Sequence, residues 1–303
     1  MESPRLPRFK RVPPVGPLHL RERDRTIIRQ VHRHRFLRSG QIAALVTGSA
    51  QQILRRLKLL YHHGYLERPR SQLDYYHHGG SRQFVYGLGN KGGGLLKQEL
   101  GHAFGSVSWG EKNRAVGRIF LEHALLVSEV MVALELACRK AGIRLLHDHE
   151  LRFPGKRPSF RWTVTLNNRQ KLGIIPDRVF ALEHPNPTGT QERAYFFLET
   201  DRGTMPVRRR TLAQTSFQRK LLAYAATWSQ SIHRTRFGFH RFRVLTVTPS
   251  AARVKSLIDA CSELERGHGL FLFADRSILE RPEDLFSRVW QTNRPGETGS
   301  LLD

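Results

Sequence analysis

The sequence predicts an α+β protein of two domains. The first is a small helical domain closed by a hairpin, and the second a mixed or parallel sheet with helices on its faces. Three observations predict this. A chain of 303 residues is long enough for about two domains. Three short stretches with apolar residues at helical spacing precede two strand-like runs within the first hundred residues. Beyond them, strand-like and helical stretches alternate, as in a sheet built through crossover helices.

Composition narrows the class. Hydrophobic residues make up 39%, enough to bury cores, which excludes a wholly disordered chain. No apolar run reaches the roughly 18 residues of a spanning helix. The N-terminus, MESPRLPRFKRVPPVGP, is basic without the apolar stretch of a secretory signal. With Cys138 and Cys261 as the two cysteines, a disulfide scaffold and a Cys-rich zinc site are excluded, and a reducing cytoplasm is expected. Fifty Lys+Arg against 26 Asp+Glu leave a net charge of +24. Such a surplus calls for a polyanion, and nucleic acid is the commonest one, because neutralised phosphates release counterions. The first 100 residues carry 19 Lys+Arg and 6 Asp+Glu, so the surplus is densest there.

In chain order, residues 1–21 form a basic arm expected to be flexible. A helix starts near Asp24, with Ile27, Ile28, Val31 and Phe36 on its apolar face. Ile42, Ala43, Leu45 and Val46 make a second, ended by Gly48. Ser49 is a good N-cap for a third, SAQQILRRLKLLYHHG, which buries Ile53, Leu54, Leu57 and Leu60 and stops at Gly64. Its outward face offers Gln51, Gln52, Arg55, Arg56 and Lys58, side chains suited to phosphates and major-groove base edges. The strand-like runs around Tyr65–Arg68 and FVYGLG flank a polar hairpin carrying Arg82. This order resembles the winged helix-turn-helix domains of bacterial regulators, through SGQIAALVTGSAQQILRRLKLLYHHGYLER and RQFVYGLGNKGGGLL. The resemblance implies a DNA-binding domain over 22–100, with Ser49, Gln51, Gln52, Arg55, Arg56, Lys58 and Arg82 facing DNA. The pairs His62/His63 and His77/His78 lack Cys or acidic partners at ligand spacing, so they predict no metal.

Residues 101–114 read as a linker, 115–290 as the second domain, and 291–303 as a disordered tail. A helix over about 115–140 is followed by the strand-like runs IRLLHDHELRF, RWTVTL, GIIPDRVFALE and AYFFLETD. Then come a helix over about 212–228, the strand FRVLTVT, the helix SAARVKSLIDAC and the strand GLFLFA. Glu199 and Asp201 lie two apart at the end of an apolar strand, so they share a face. If Asp177 stands on the neighbouring strand, three carboxylates converge, and a hard cation such as Mg2+, or Mn2+ in its place, relieves their repulsion. Such an ion activates water at a phosphorus centre. The basic clusters PVRRRT and RTRFGFHRFR offer phosphate contacts and base stacking beside the acids.

Pro176-Asp177 and Glu199 resemble the first motif and second acid of the PD-(D/E)xK restriction-endonuclease-like superfamily. Asp201 stands where that motif has lysine. Some members carry the cation on the following helix, which implies Lys220 here, with Arg202 as a second candidate. A carboxylate from the preceding long helix, Glu129, completes the implied metal set with Asp177, Glu199 and Asp201. Asp177, Glu199, Asp201 and Lys220 are thus the expected catalytic group.

Taken together, EHALLVSEV, PDRVFALE, YFFLETDRGT, KLLAYAATW and RVLTVTPSAARVKSL, behind a winged helix, resemble the replication-relaxation family of plasmids and other mobile elements. The resemblance covers most of residues 22–265 and extends to MobC-type mobilization relaxases. It implies origin recognition by the first domain and strand nicking by the second. Expected partners are double-stranded DNA, other proteins of the element and a second copy of the chain, with no membrane. Two alternatives stay open: a non-catalytic regulator with a degenerate nuclease-like domain, and an accessory subunit that targets a partner's catalysis. No P-loop and no G-x-S-x-G elbow occur.

Overall fold

The computed structural model describes residues 7–12, 16–75, 83–101, 108–151, 153, 159–186, 188–264, 267, 269–294 and 296–303. The chain is mixed α and β and divides into two compact units, residues 1–132 and 133–303.

The first unit runs α1 (Glu22–His34), β1 (Phe36–Arg38), α2 (Ser39–Leu45), α3 (Ala50–His62), β2 (Leu66–Glu67), β3 (Val85–Leu88), α4 (Asn90–Leu100) and α5 (Trp109–Arg114). A longer helix, α6 (Arg118–Ala141), follows, and the division between the units falls within it. The three strands form one antiparallel sheet in the order β1-β3-β2. Acids in the first turn of α1 and His32, Arg33 and His34 in its last turn suit the helix dipole. Ser49 caps α3 by accepting from Gln52 N–H, and Gly48 before it sits at φ +129°, where a side chain is strained.

Strand β1 is one element the sequence did not announce. Phe36, expected on the first helix, lies opposite Gly87 of β3. A Cβ at Gly87 would stand 2.8 Å from the Phe36 ring, so glycine is what lets the ring lie against the strand. Two expectations for flanking segments are corrected. The arm is tied down where it is described: Arg11 donates to the Tyr61 carbonyl at 3.0 Å and to Glu67 at 2.9 Å, and Phe9 meets Phe84 edge-on. The 101–114 linker includes helix α5, whose Asn113 donates to the Leu88 carbonyl at 2.8 Å. The unit therefore extends past the linker, because Leu121 and Leu125 of α6 are buried with Phe36 and Val85.

The second unit continues with β4 (Arg144–His147), β5 (Trp162–Thr165), β6 (Lys171–Ile174), β7 (Arg178–Pro185) and β8 (Gln191–Thr200). Then follow α7 (Phe217–Ser229), α8 (Ile232–Thr235), β9 (Arg243–Thr248), α9 (Ala251–Cys261), β10 (Phe271–Asp275), β11 (Trp290–Gln291) and β12 (Thr298–Gly299). One sheet has the order β12-β11-β10-β9-β8-β7-β4, parallel only through β8, β9 and β10. Strands β5 and β6 form a separate antiparallel pair. The expected run GIIPDRVFALE is thus two strands, broken at Pro176-Asp177.

The core explains the placement of α7. Phe197 of β8 packs with Trp162, Tyr224, Phe237, Phe239 and Phe242. Trp162 Nε1 donates to Thr227 Oγ1 of α7 at 2.9 Å, which pairs the one polar atom of a buried indole. Phe237, Phe239 and Phe242 come from RTRFGFHRFR and are each 2% exposed. They are core side chains and present no face for stacking on bases. The tail, expected to be disordered, is built into the sheet. Its β12 pairs with β11, Leu301 is fully buried, and Arg243 holds the carbonyls of Ser300 and Asp303 at 2.6 Å, while Trp290, just ahead of the tail, is fully buried with its Nε1 donating to the Leu285 carbonyl at 2.8 Å.

Trp290→Ala should lower the unfolding free energy by about 3–5 kcal/mol, the range for emptying a buried aromatic site. Denaturant unfolding checks this, and a loss under about 1 kcal/mol would mean that β11 is not packed into the core.

Candidate functional site

Helix α3 presents Gln51, Gln52, Arg55 and Lys58 to solvent. Ser49 is occupied as its N-cap, and Gln52 Oε1 accepts from Arg23 at 2.9 Å. Leu54, read as core, is 47% exposed on the same helix. Arg56 is different. Its guanidinium grips Asp24 with two bonds, Nε to Oδ1 at 2.8 Å and Nη2 to Oδ2 at 2.5 Å. Asp24 is fully buried, so Arg56 supplies the charge that makes an acid tolerable inside the unit. Arg82 lies outside the described residues.

In the second unit, Asp177, Glu199, Asp201 and Lys220 come together. The face of β8 that carries Phe197 toward α7 also carries Glu199, two residues on. Glu199 is 1% exposed and both its oxygens are engaged. Lys220 Nζ donates to Oε2 at 2.5 Å and the Tyr224 hydroxyl to Oε1 at 2.6 Å. Lys220 and Tyr224 are four apart on α7 and so project from one face.

Asp177 stands just before β7 and donates its N–H to the Leu198 carbonyl at 3.0 Å. Its Oδ2 accepts from the backbone N–H and the hydroxyl of Thr200, at 2.7 and 2.9 Å. Asp201, just past β8, is 5% exposed and is claimed by Arg253 of α9, whose Nε donates to Oδ2 at 2.6 Å. Arg253 also donates to the Met205 carbonyl. Tyr224 and Arg253 are the partners that sequence reasoning missed: each belongs to an apolar helix in sequence and becomes polar machinery only when that helix covers the strand end.

Among the described residues, no group of three or more His, Cys, Asp or Glu side chains is placed to hold a metal ion. The three acids instead surround an ammonium. Lys220 feels the charge of Glu199, Asp177 and Asp201, which together outweigh the pull of burial and raise its pKa. Burial pushes the Glu199 carboxyl up to about 7, Lys220 opposes this, and the Asp177 charge adds to it. Burial and the Glu199 charge drive the Tyr224 phenol well above its ordinary value, so it is a donor and not a ready nucleophile. Glu129 belongs to the first unit, where Arg38 stands 3.8 Å away. Both cysteines are free and buried, with thiols pushed up to about 12 by burial, and so are inert.

The chain is thus mixed α and β, with a basic, glutamine- and arginine-bearing helix face in one unit and a buried acid-lysine cluster at a strand end in the other. The replication-relaxation family model matches residues 28–241, and the chain belongs to that family. No curated protein and no solved structure matches it. No helix among the described residues is long and apolar enough to cross a membrane.

Two outcomes follow from these pairings. Arg56→Ala strands a buried carboxylate and should cost about 3–5 kcal/mol, whereas exposed Arg55→Ala should stay within about 0.5 kcal/mol. Chemical denaturation of both variants checks this. Glu199 has a folded pKa above its unfolded value, so its ionisation opposes folding. Its penalty is absent below about pH 4.5 and grows until about pH 7. Over that window wild-type stability should fall, relative to Glu199→Gln, by up to about 3 kcal/mol. Parallel pH profiles for the two proteins would contradict the raised pKa.

Proposed function

We propose that the protein acts on DNA of a plasmid or other mobile element. Its first unit, read as a winged helix, binds duplex DNA through α3. Its second unit, read as a PD-(D/E)xK-like domain, cleaves a phosphodiester, most simply as a single-strand nick. The observation that carries this reading is the meeting of Asp177, Glu199 and Lys220 at the carboxyl end of β8. Ends of this kind in open α/β sheets are where ligands bind. Family membership supports a role in plasmid replication or mobilization.

The donor set suits Mg2+. That ion prefers hard oxygens and is commonly held by one or two carboxylates, with waters and phosphate completing its shell. Asp177 and Glu199 would hold it, while Asp201 stays with Arg253 as a tether. When bound, Mg2+ supplies a Lewis acid and an activated water. The chain's own contributions are separate. Lys220, with its side chain 34% exposed, offers an ammonium that can neutralise a phosphate oxygen. Tyr224 fixes one Glu199 oxygen, so the carboxyl has one orientation. A carboxyl with a pKa of about 7 can take up or release a proton near neutral pH.

A second reading has its own support. Both Glu199 oxygens and Asp201 are satisfied by protein donors, as a retired site would have them. On that reading the second unit is a non-catalytic scaffold of a regulator or targeting subunit.

Purified protein should convert supercoiled plasmid carrying the DNA that flanks its gene into open circles with Mg2+ or Mn2+, and not with EDTA. Asp177→Ala should abolish conversion while leaving duplex affinity near wild type. Tight binding without conversion would select the scaffold reading. Arg55→Ala or Lys58→Ala should each lower the salt slope of duplex binding by about one ion, and an unchanged slope in both would take α3 out of the interface.

A further inference from the structure

From residue 202 to residue 258 the sequence contains no Asp or Glu and 12 Lys+Arg. This stretch begins immediately after the candidate acids. Most of its cations are consumed inside the fold. Lys220 and Arg253 hold the acids, and Arg241 pairs with Glu192. Arg236 donates to the carbonyls of Ser159 and Arg161, and Arg243 to those of Ser300 and Asp303. Arg209, Arg210 and Lys255 are the exceptions, each exposed and without a hydrogen-bond or ion-pair partner among the described residues, and of these Arg209 and Arg210 are adjacent in the chain.

The segment that carries them is irregular yet fixed. It leaves Asp201 and returns at Ser216, ahead of the helix that bears Lys220. Near its start, Arg253 donates to the Met205 carbonyl at 2.5 Å. Phe217 and Gln218 donate their N–H groups to the carbonyls of Pro206 and Val207, at 3.0 and 2.9 Å. Arg208 is anchored on α9 through the Asp259 carbonyl at 2.9 Å and Glu263 at 2.7 Å. Arg219 donates to the carbonyls of Leu212 and Ala213. The arginines before and after the pair thus serve as rivets, and residues 209 and 210 span the gap between them.

We propose that residues 202–216 form a phosphate rail, on which Arg209 and Arg210 grip the backbone of the DNA strand presented to the acid site. The physical need is plain. A cluster with three carboxylates repels a polyanion, and Lys220 and Arg253, which pair with Glu199 and Asp201, offset only part of that charge. A strand approaches only if further positive charge lies beside the cluster. Two adjacent guanidiniums on a loop pinned on both sides meet that need at a reduced ordering cost, because the flanking backbone is already held and mainly their side chains remain to be fixed. Arginine suits phosphate by its planar fork of donors. The rail reads no sequence. It positions a strand that the first unit has selected.

This inference rests on the proposed DNA-processing function, and the test separates the two. Binding of a fluorescein-labelled duplex from the gene's flanking DNA is measured by anisotropy over a salt series. Full-length wild type is compared with Arg55→Ala, Arg209→Ala/Arg210→Ala and Arg209→Lys/Arg210→Lys. The double alanine variant should lose up to about 1.8 from the salt slope, two phosphate contacts at 0.9 each. Its thermal midpoint should stay unchanged, and the double lysine variant should regain most of the slope. An unchanged slope in the double alanine variant, with a reduced one in Arg55→Ala, overturns the rail and leaves the first unit's role standing. Failure of lysine to restore the slope overturns a charge-based grip. Wild type that does not bind duplex overturns the proposed function and the rail with it.

Discussion

Much of the second unit depends on one requirement: a carboxylate taken out of water must be given donors. Glu199 sits at the end of an apolar strand and under an apolar helix, where an unpaired charge would cost several kcal/mol. Lys220 and Tyr224, on one face of α7, meet that requirement. In doing so they fix the rotation of α7 about its own axis and its height along β8. The same helix face then brings Thr227 to the Trp162 indole, which closes the aromatic core over the β5–β6 pair. Asp201 repeats the device one element later, since Arg253 ties α9 to the same strand end. Two acids thus act as pegs on which two helices hang.

The peg at Glu199 is under strain in the electrostatic sense. Its donors do not fully offset burial, so the carboxyl titrates near neutrality. A well-packed apolar residue would cost the fold less at this position. Asp201 is tied by Arg253 at 2.6 Å, whose guanidinium also holds the Met205 carbonyl. The geometry therefore divides three acids that look equivalent in sequence: Asp201 ties α9 to the strand end, Glu199 ties α7 to it, and Asp177 holds Thr200.

The first unit uses its charge in the same two ways. Arg56 is spent on buried Asp24, Arg11 and Arg114 on Glu67, and Arg25 and Arg29 on Glu99. What faces outward from α3 is the remainder, Arg55 and Lys58 with two glutamines. A net charge of +24 is consequently a poor guide to which cations meet a ligand. The useful set is what remains after internal acids and carbonyls have been served.

The sequence by itself determined the helices and strands whose apolar periodicity is strong: α1, α3, β8, β9 and α9 fall within a few residues of where their spacing puts them. It also determined the acids at the end of β8 and the lysine on the next helix, because motif spacing is local. Only the tertiary structure decided the rest. A three-residue strand at Phe36 has too few residues for periodicity and exists because Gly87 leaves room for a ring across the sheet. The tail is built in because β12 pairs with β11, Leu301 is fully buried and Arg243 holds its last carbonyls. Arg55 and Arg56 are neighbours with the same chemistry, and Lys220 and Arg219 are too. Which of each pair meets a buried acid depends on the face a helix turns inward, and that rotation is set by contacts between residues far apart in the chain.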